Sequence, residues 1–102
     1  MDQELFYKIL EVEEWQDFQQ SKVFQGTALD KRDGYVHMSQ SKDQMLRVKD
    51  KYYKNKAIYL LQIDSKKLPN VKFEPASNGD LYPHEYGNLN FDCVVDSELL
   101  EG

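Results

Sequence analysis

The stretch "AIYLLQI", residues 57–63, decides the fold of this chain. Its alternate positions are apolar on both faces, and Gln62 is the one polar side chain. Because successive side chains of a strand point to opposite faces, this pattern predicts a central strand that is covered on both sides. The remaining elements are therefore expected to supply both its neighbours in the sheet and its covering layers.

Two further stretches have the alternation of strands. "ELFYKIL", residues 4–10, comes near the start of the chain, and "FDCVV", residues 91–95, comes near its end. In the second, we expect Phe91, Cys93 and Val95 to share one face of a strand. By the same parity, Cys93 is predicted to be a buried and unreactive thiol.

Between these strands lie two stretches with helical spacing. In "VEEWQDFQQS", residues 12–21, apolar side chains recur every three residues, and acidic residues stand at the start, where they favour a helix N-terminus. In "SKDQMLRVKDKYY", residues 41–53, Ser41 is a plausible N-cap. The side chains predicted to pack over the sheet are Trp15, Phe18, Met45 and Val48. The order of elements predicts a small single α+β domain, residues 1–102, with two main helices.

Composition excludes several classes of protein. Thirteen basic against eighteen acidic residues give a net charge of −5, which argues against general nucleic-acid binding. A lone cysteine excludes an internal disulfide and a CxxC metal site, and we predict no metal centre. No apolar run approaches the roughly 18 residues of a membrane helix. We expect a cytoplasmic protein without membrane contact; the oligomeric state is left open.

The first candidate for a functional site is "YVHMS", residues 35–39. If it is a strand, Val36 and Met38 point into the core. The opposite face then carries a phenol, an imidazole and a hydroxyl, from Tyr35, His37 and Ser39. Such a face does not suit a hydrophobic core, because each buried polar group needs a hydrogen-bond partner. It either lines a cleft or is simply exposed to water.

The second candidate lies in "KFEPASNGDLYPHEYGNL", residues 72–89. Pro75 is expected to end a strand that carries Glu74, and "SNGD" predicts a turn. A proline and a glycine then bracket His84 and Tyr86 on what we predict to be a rigid loop, where sites are often built. The alternative is that the tyrosines cap the core and the histidine bonds a backbone carbonyl.

These stretches together resemble the bacterial domain of unknown function 952 family. The resemblance rests on an opening Tyr-Lys-Ile, a Trp after an acid, "DKRDGYVHMS" at residues 30–39 and "YPHEYG" at residues 82–87. It covers nearly the whole chain. One departure is that Gln44 stands a residue further from His37 than the glutamine of the family does. We predict that Gln44 is solvated.

The resemblance implies a fold similar to that of ADP-ribosyltransferases, in which a mixed sheet, split into two small sheets, grips NAD in a cleft. His37 with Ser39 is similar to the His-x-Ser/Thr first motif of one branch, and a later glutamate would stabilise an oxocarbenium-like transition state. Glu98 and Glu101 fall too near the end to match that glutamate. RNA 2′-phosphotransferases share the fold but use arginines around a phosphate, and this chain has only Arg32 and Arg47.

The resulting hypothesis is a cleft that binds NAD, ADP-ribose or a similar small phosphorylated ligand. If the protein is an enzyme, it is a transferase or hydrolase acting on an NAD-like substrate. The candidate catalytic residues are His37 and His84, and the candidate ligand-binding residues are Tyr35, Ser39, Glu74 and Tyr86. The alternatives are a non-catalytic small-molecule-binding module and a protein-interaction domain.

Overall fold

The apolar run of residues 57–63 falls in the central strand of a three-stranded sheet, as predicted. The computed structural model describes residues 4–101. The strands are β1 (Leu5–Glu11), β2 (Val23–Phe24), β3 (Val36–His37), β4 (Ile58–Asp64), β5 (Val71–Pro75), β6 (Leu81–Glu85), β7 (Leu89–Asn90) and β8 (Val94–Leu100). The helices are α1 (Val12–Ser21), α2 (Ala28–Asp33) and α3 (Lys42–Tyr52).

The strands form three antiparallel sheets. The main sheet has the order β1-β4-β8, the second sheet has the order β3-β6-β5, and β2 pairs with β7. Every strand pair among residues 4–101 is antiparallel, so the expectation of a mixed sheet is wrong. A split arrangement of small sheets is observed. The main and second sheets are joined through Ser39, whose backbone N–H and C=O both bond to Tyr7 at 2.8 Å.

The core confirms that β4 is buried on both faces. Ile58, Leu60, Leu61 and Ile63 are each at most 2% exposed. One face of the main sheet packs against the α1 side chains Trp15 and Phe18, in a cluster with Leu61 and Ile63. The other face packs against Met45 and Val48 of α3, in a cluster with Ile58 and Leu60. The four side chains predicted to cover the sheet therefore do so from opposite sides.

The two predicted helices are confirmed, and a third short helix was not predicted. α1 spans the predicted residues, and Ser41 caps α3 by accepting a hydrogen bond from the Gln44 N–H at 3.1 Å. α2 has six residues, which is too few to show a helical period. It begins at a capping box between Thr27 and Asp30 and ends at Gly34, whose φ of 86° suits glycine.

Two local predictions are wrong. Phe91–Cys93 is a single turn of 3-10 helix, and the last strand starts only at Val94. Because this turn interrupts the alternation of side chains between the two faces, Cys93 and Val95 do not share a face: Cys93 is buried and Val95 is 49% exposed. Residues 81–85, predicted as a rigid loop, form β6 in the centre of the second sheet. Pro83 is tolerated there, and its carbonyl still accepts a hydrogen bond from the Met38 N–H at 3.1 Å.

Among residues 4–101 there is no helix with the length and apolar character needed to span a bilayer.

Candidate functional site

One face of the second sheet brings the two sequence candidates together. His37 of β3 and His84 of β6 are directly paired residues, and Lys72 of β5 pairs with His84 from the other side. Because residues that face each other across an antiparallel ladder project to the same side, the imidazoles share one face. Their ring centroids are 5.4 Å apart.

A stack of rings runs across this face. The Tyr35 ring lies 4.0 Å from the His84 ring at an interplanar angle of 23°, and 5.3 Å from the Tyr86 ring. It also lies 4.6 Å from the His37 ring. Tyr35 is therefore in contact with every other ring of the group, which we call the ring cluster: Tyr35, His37, His84 and Tyr86.

Glu74 holds one end of the ring cluster through a single carboxylate oxygen. That oxygen, Oε1, lies 2.8 Å from Nδ1 of His84 and accepts a hydrogen bond from the Tyr86 hydroxyl at 2.5 Å. These hydrogen bonds from Tyr86 and His84 lower the pKa of Glu74, and the same hydrogen bond to Glu74 raises the pKa of Tyr86 to about 12. At neutral pH the carboxyl is therefore ionised and the phenol is protonated.

The pairing with Glu74 also fixes how His84 can react. A neutral imidazole that donates from Nδ1 to a carboxylate keeps its lone pair on Nε2. Within residues 4–101, Nε2 of His84 makes no hydrogen bond to the protein. His84 can therefore accept a proton, or a hydrogen bond, from a ligand.

Asp30 holds the other end of the ring cluster and is almost completely buried, at 2% exposure. Its Oδ1 lies 2.6 Å from Nδ1 of His37 and accepts the backbone N–H of the same residue at 3.1 Å. Its Oδ2 accepts from Nζ of Lys8 and from the Thr27 N–H, both at 2.9 Å. Burial alone would raise the pKa of Asp30, but the hydrogen bond from His37 and the charge of Lys8 outweigh it and lower the pKa.

Lys8 is the second buried charge of the site, at 5% exposure. Burial lowers the pKa of Lys8, and the attraction of Asp30 opposes that effect. The two charges need each other, because an unpaired charge in this position would be strongly destabilising. Sequence reasoning assigned no role to either residue. Both nevertheless stand in the quoted motifs, as the lysine of Tyr-Lys-Ile and as the first aspartate of the "DKRDGYVHMS" block.

His37 is more enclosed by carboxylates than His84. Besides its contact with Asp30, its Nε2 lies 3.1 Å from Oδ2 of Asp33. Both ring nitrogens therefore have carboxylate partners on the α2 side. Of the two histidines, His84 is the one with a ring nitrogen that has no hydrogen-bond partner among the described residues, although its side chain is only 10% exposed.

A small cavity of about 200 Å³ adjoins the ring cluster. Its lining residues include Tyr35 and Tyr86, the paired residues Val36 and Glu85, and the glycine residues Gly34 and Gly87. Neither imidazole is among its lining residues, so the prediction that both histidines face a common cavity is not met by this cavity. Tyr35 connects the two features, since it lines the cavity and stacks on His84.

The structure thus places five of the six predicted site residues in one group: Tyr35, His37, Glu74, His84 and Tyr86. The sixth, Ser39, is 5% exposed, and its backbone makes the bridge to Tyr7. The alternative in which His84 bonds a backbone carbonyl through Nδ1 is not observed, since that nitrogen faces Glu74.

The prediction that Gln44 is solvated is wrong. Gln44 is buried at 5% exposure. Its Nε2 donates to the Leu81 carbonyl at 2.9 Å, and its Oε1 accepts the Gln40 N–H at 2.8 Å. Gln44 therefore fastens α3 to the start of β6, and with it the strand that carries His84.

The acidic and imidazole groups of the site do not form a metal centre. In the part of the chain that the structure describes, no group of three or more His, Cys, Asp or Glu side chains has the geometry to hold an ion.

Comparison with known proteins agrees with the resemblance seen in the sequence. The family described as "Protein of unknown function (DUF952)" matches residues 9–97, and the chain belongs to this family. The fold is similar to that of the X-ray crystal structure of protein CC0527 from Caulobacter crescentus, with a TM-score of 0.88 and 30% identity over 95% of this chain and 86% of that chain. The solution NMR structure of CC0527 gives a TM-score of 0.83 at 30% identity, over 95% of this chain and 84% of that chain. Among curated proteins, no match is found.

Proposed function

We propose that the protein binds a nucleoside-type small molecule, that is, a planar ring joined to a sugar, at the ring cluster and its cavity. One observation carries this proposal: Tyr35 both lines the cavity and stacks on His84. A ligand ring in the cavity would lie against tyrosine, and aromatic faces are good stacking surfaces for such rings. The attached sugar would then reach the pair formed by Glu74 and His84.

The size of the cavity supports a ring rather than a whole ligand. Complete small-molecule sites measure roughly 300–1,000 Å³, and this cavity measures about 200 Å³. We infer that the ring enters it and that the sugar stays outside. There, sugar hydroxyls would donate to Glu74 and to Nε2 of His84.

The charges around the imidazoles indicate which part of an NAD-like ligand the ring cluster would hold. Three carboxylates contact the two histidines: Asp30 and Asp33 on His37, and Glu74 on His84. They would repel a phosphate and favour hydroxyl groups or a positively charged ring. NAD carries such a ring on its nicotinamide riboside end. We therefore propose the nicotinamide riboside end, and not the phosphates, as the part held by the ring cluster.

An ADP-ribosyltransferase-like fold is part of this proposal. The division into a main sheet and a second sheet, joined at Ser39, supports it. So does the position of the ring cluster on the second sheet, where both histidines were brought together by strand pairing.

Hydrolysis of the bond between ribose and nicotinamide is the second candidate function. It is favoured by the fixed, ionised carboxylate of Glu74, whose side chain is still 36% exposed. In this reaction the C1′–N bond would break with its electron pair on the nicotinamide nitrogen. Glu74 would stabilise the positive charge that develops on the ribose. A water oxygen would bond to C1′ and lose its proton to Nε2 of His84.

Titration calorimetry with nicotinamide riboside, adenosine and NAD tests the binding proposal. Replacing Tyr86 with Ala removes one stacking surface and should weaken ring binding by about five- to 150-fold, the equivalent of roughly 1 to 3 kcal/mol. The control is Tyr52→Ala, which removes a tyrosine that is 59% exposed and lies outside the cavity and the ring cluster. No binding by the parent protein would contradict the proposal and leave the protein-interaction alternative.

Release of nicotinamide from NAD, followed by chromatography, separates an enzyme from a non-catalytic binding module. We expect release by the parent protein and its loss in Glu74→Gln with binding retained. Glu98→Gln, an exposed change on β8 of the main sheet, is the matched control. Binding without release by the parent would establish the non-catalytic module.

A further inference from the structure

We propose that the site extends into a second cavity and that Lys31 binds the phosphate linker of a two-part ligand across both. This inference rests on the proposed function and names the remainder of the ligand. Its starting point is that the small cavity beside Tyr35 and a larger one of about 500 Å³ share two lining residues, Gln25 and Lys31. The two cavities therefore adjoin, and together they lie within the roughly 300–1,000 Å³ of complete ligand sites.

The larger cavity has the lining of a site for a second ring and sugar. Val23 of β2 contributes exposed apolar surface, and the core residues Phe18 of α1 and Phe24 of β2, which are 1% and 6% exposed, complete the apolar part of the wall. Glu14 and Asp17 of α1 contribute carboxylates. Apolar surface suits the flat faces of a base, and carboxylates accept hydrogen bonds from amino groups and sugar hydroxyls.

A positive charge stands where the two cavities share lining residues. Among the described residues that line them, Lys31 is the only lysine or arginine, whereas both cavities contain carboxylates. Lys31 would attract a phosphate there, since the neighbouring Asp30 carboxylate already has the Lys8 ammonium as its counter-charge. A ligand of two nucleoside-type parts joined through phosphate would then place its anionic part beside Lys31.

The backbone beside the junction packs closely against α2. Gly26 has a φ of 116°, which strongly favours glycine, and it lines the larger cavity. A Cβ at this position would lie 2.9 Å from the Asp30 Cβ and 3.7 Å from the Lys31 Cγ. A larger residue would therefore press on α2 at the point where Asp30 holds His37 and Lys31 enters both cavities.

The test compares NAD with nicotinamide riboside and adenosine, which are its two parts without the phosphate linker. Titration calorimetry is carried out on the parent protein, on Lys31→Gln and on Lys54→Gln. Lys54 is exposed and lines neither cavity, so its substitution changes the net charge by the same amount. We expect Lys31→Gln to weaken NAD binding by about tenfold or more, the usual effect of losing a charge-assisted hydrogen bond. Binding of nicotinamide riboside should be unchanged, and Lys54→Gln should resemble the parent.

A second variant, Val23→Trp, tests the larger cavity by filling it from an exposed strand position. It should reduce the affinity for NAD to that for nicotinamide riboside. If the parent binds these ligands but NAD affinity is unchanged in Lys31→Gln and Val23→Trp, the two-cavity inference is wrong and the proposed function stands. If Lys31→Gln weakens nicotinamide riboside as much as NAD, Lys31 does not act on the linker. If the parent binds none of the three compounds, both proposals fail.

Discussion

His37 and His84 are directly paired across β3 and β6, yet each is held by a different carboxylate. Asp30 lies 2.6 Å from Nδ1 of His37, and Glu74 lies 2.8 Å from Nδ1 of His84. The pairs differ in exposure, because Asp30 is buried with Lys8 whereas Glu74 stands at the open side of the second sheet. His37 is thus tied to a buried charge pair although its own side chain is 29% exposed, whereas His84 is paired with a partly exposed carboxylate although its own side chain is only 10% exposed.

Replacing Asp30 with Asn should lower the free energy of unfolding by about 3 to 5 kcal/mol, because it leaves the buried Lys8 ammonium without its counter-charge. Urea unfolding measures the change. Asp33→Asn is the control, since Asp33 is on the same helix but its ion pairs are with an exposed arginine and with His37. Combining Asp30→Asn with Lys8→Met should cost less than the sum of the single changes. Strict additivity would show that the two charges do not interact.

The lowered pKa of Asp30 predicts that the stability of the protein depends on pH in the acidic range. Folding lowers its pKa below the unfolded value of about 3.9. Its contribution to stability is therefore complete above that value and is lost as the pH falls through the folded pKa. We expect the parent to lose stability faster than Asp30→Asn as the pH is lowered from about 4 toward 2, in urea unfolding at each pH. Parallel pH profiles for the two proteins would rule out this role.

Leu60→Ala should lower the free energy of unfolding by about 2 to 5 kcal/mol, because Leu60 is 2% exposed in the central strand and its removal leaves a cavity. Leu99→Ala, on the edge strand β8 at 46% exposure, should cost much less. Chemical denaturation of both variants measures the difference. Equal effects would mean that the main sheet is not ordered around β4.

Cys93 should react slowly with a thiol reagent in the folded protein. It is 1% exposed, and burial raises the pKa of its thiol to about 11, so little thiolate is present near neutral pH. Labelling followed by mass spectrometry in native buffer and in urea measures the rates. Labelling as fast in buffer as in urea would contradict the buried position.

Glu74→Gln should return the pKa of Tyr86 from about 12 toward the ordinary value of about 10. The carboxylate favours the protonated phenol because it accepts a hydrogen bond from the hydroxyl, and an amide lacks the charge that repels phenolate. Nuclear magnetic resonance of ring-labelled tyrosine follows this titration residue by residue. Glu98→Gln should leave the value at about 12. A Tyr86 pKa unaffected by Glu74→Gln would show that the hydrogen bond is not its cause.

Much of the candidate site was predictable from alternation alone. The period of two in "YVHMS" placed Tyr35 and His37 on one side and Val36 on the other, and the structure agrees. The partners of these residues were not predictable, because strand pairing and register decide which carboxylate contacts each imidazole. The contact of Glu74 with His84 exists because β5 lies beside β6, and the contact of Asp30 with His37 exists because α2 folds back onto β3.

The sequence by itself determined the first and central strands of the main sheet, the two long helices and the side chains that pack over the sheet. Those features depend on the spacing of apolar side chains along the chain, because that spacing decides which side chains share one face of a strand or helix and are buried together. The tertiary structure alone decided that Gln44 is buried, that Lys8 pairs with Asp30 and that two cavities meet at Lys31. A polar side chain carries no sign of its partner in its own sequence neighbourhood, since its burial is tolerated only when a distant segment supplies the matching charge or hydrogen bond.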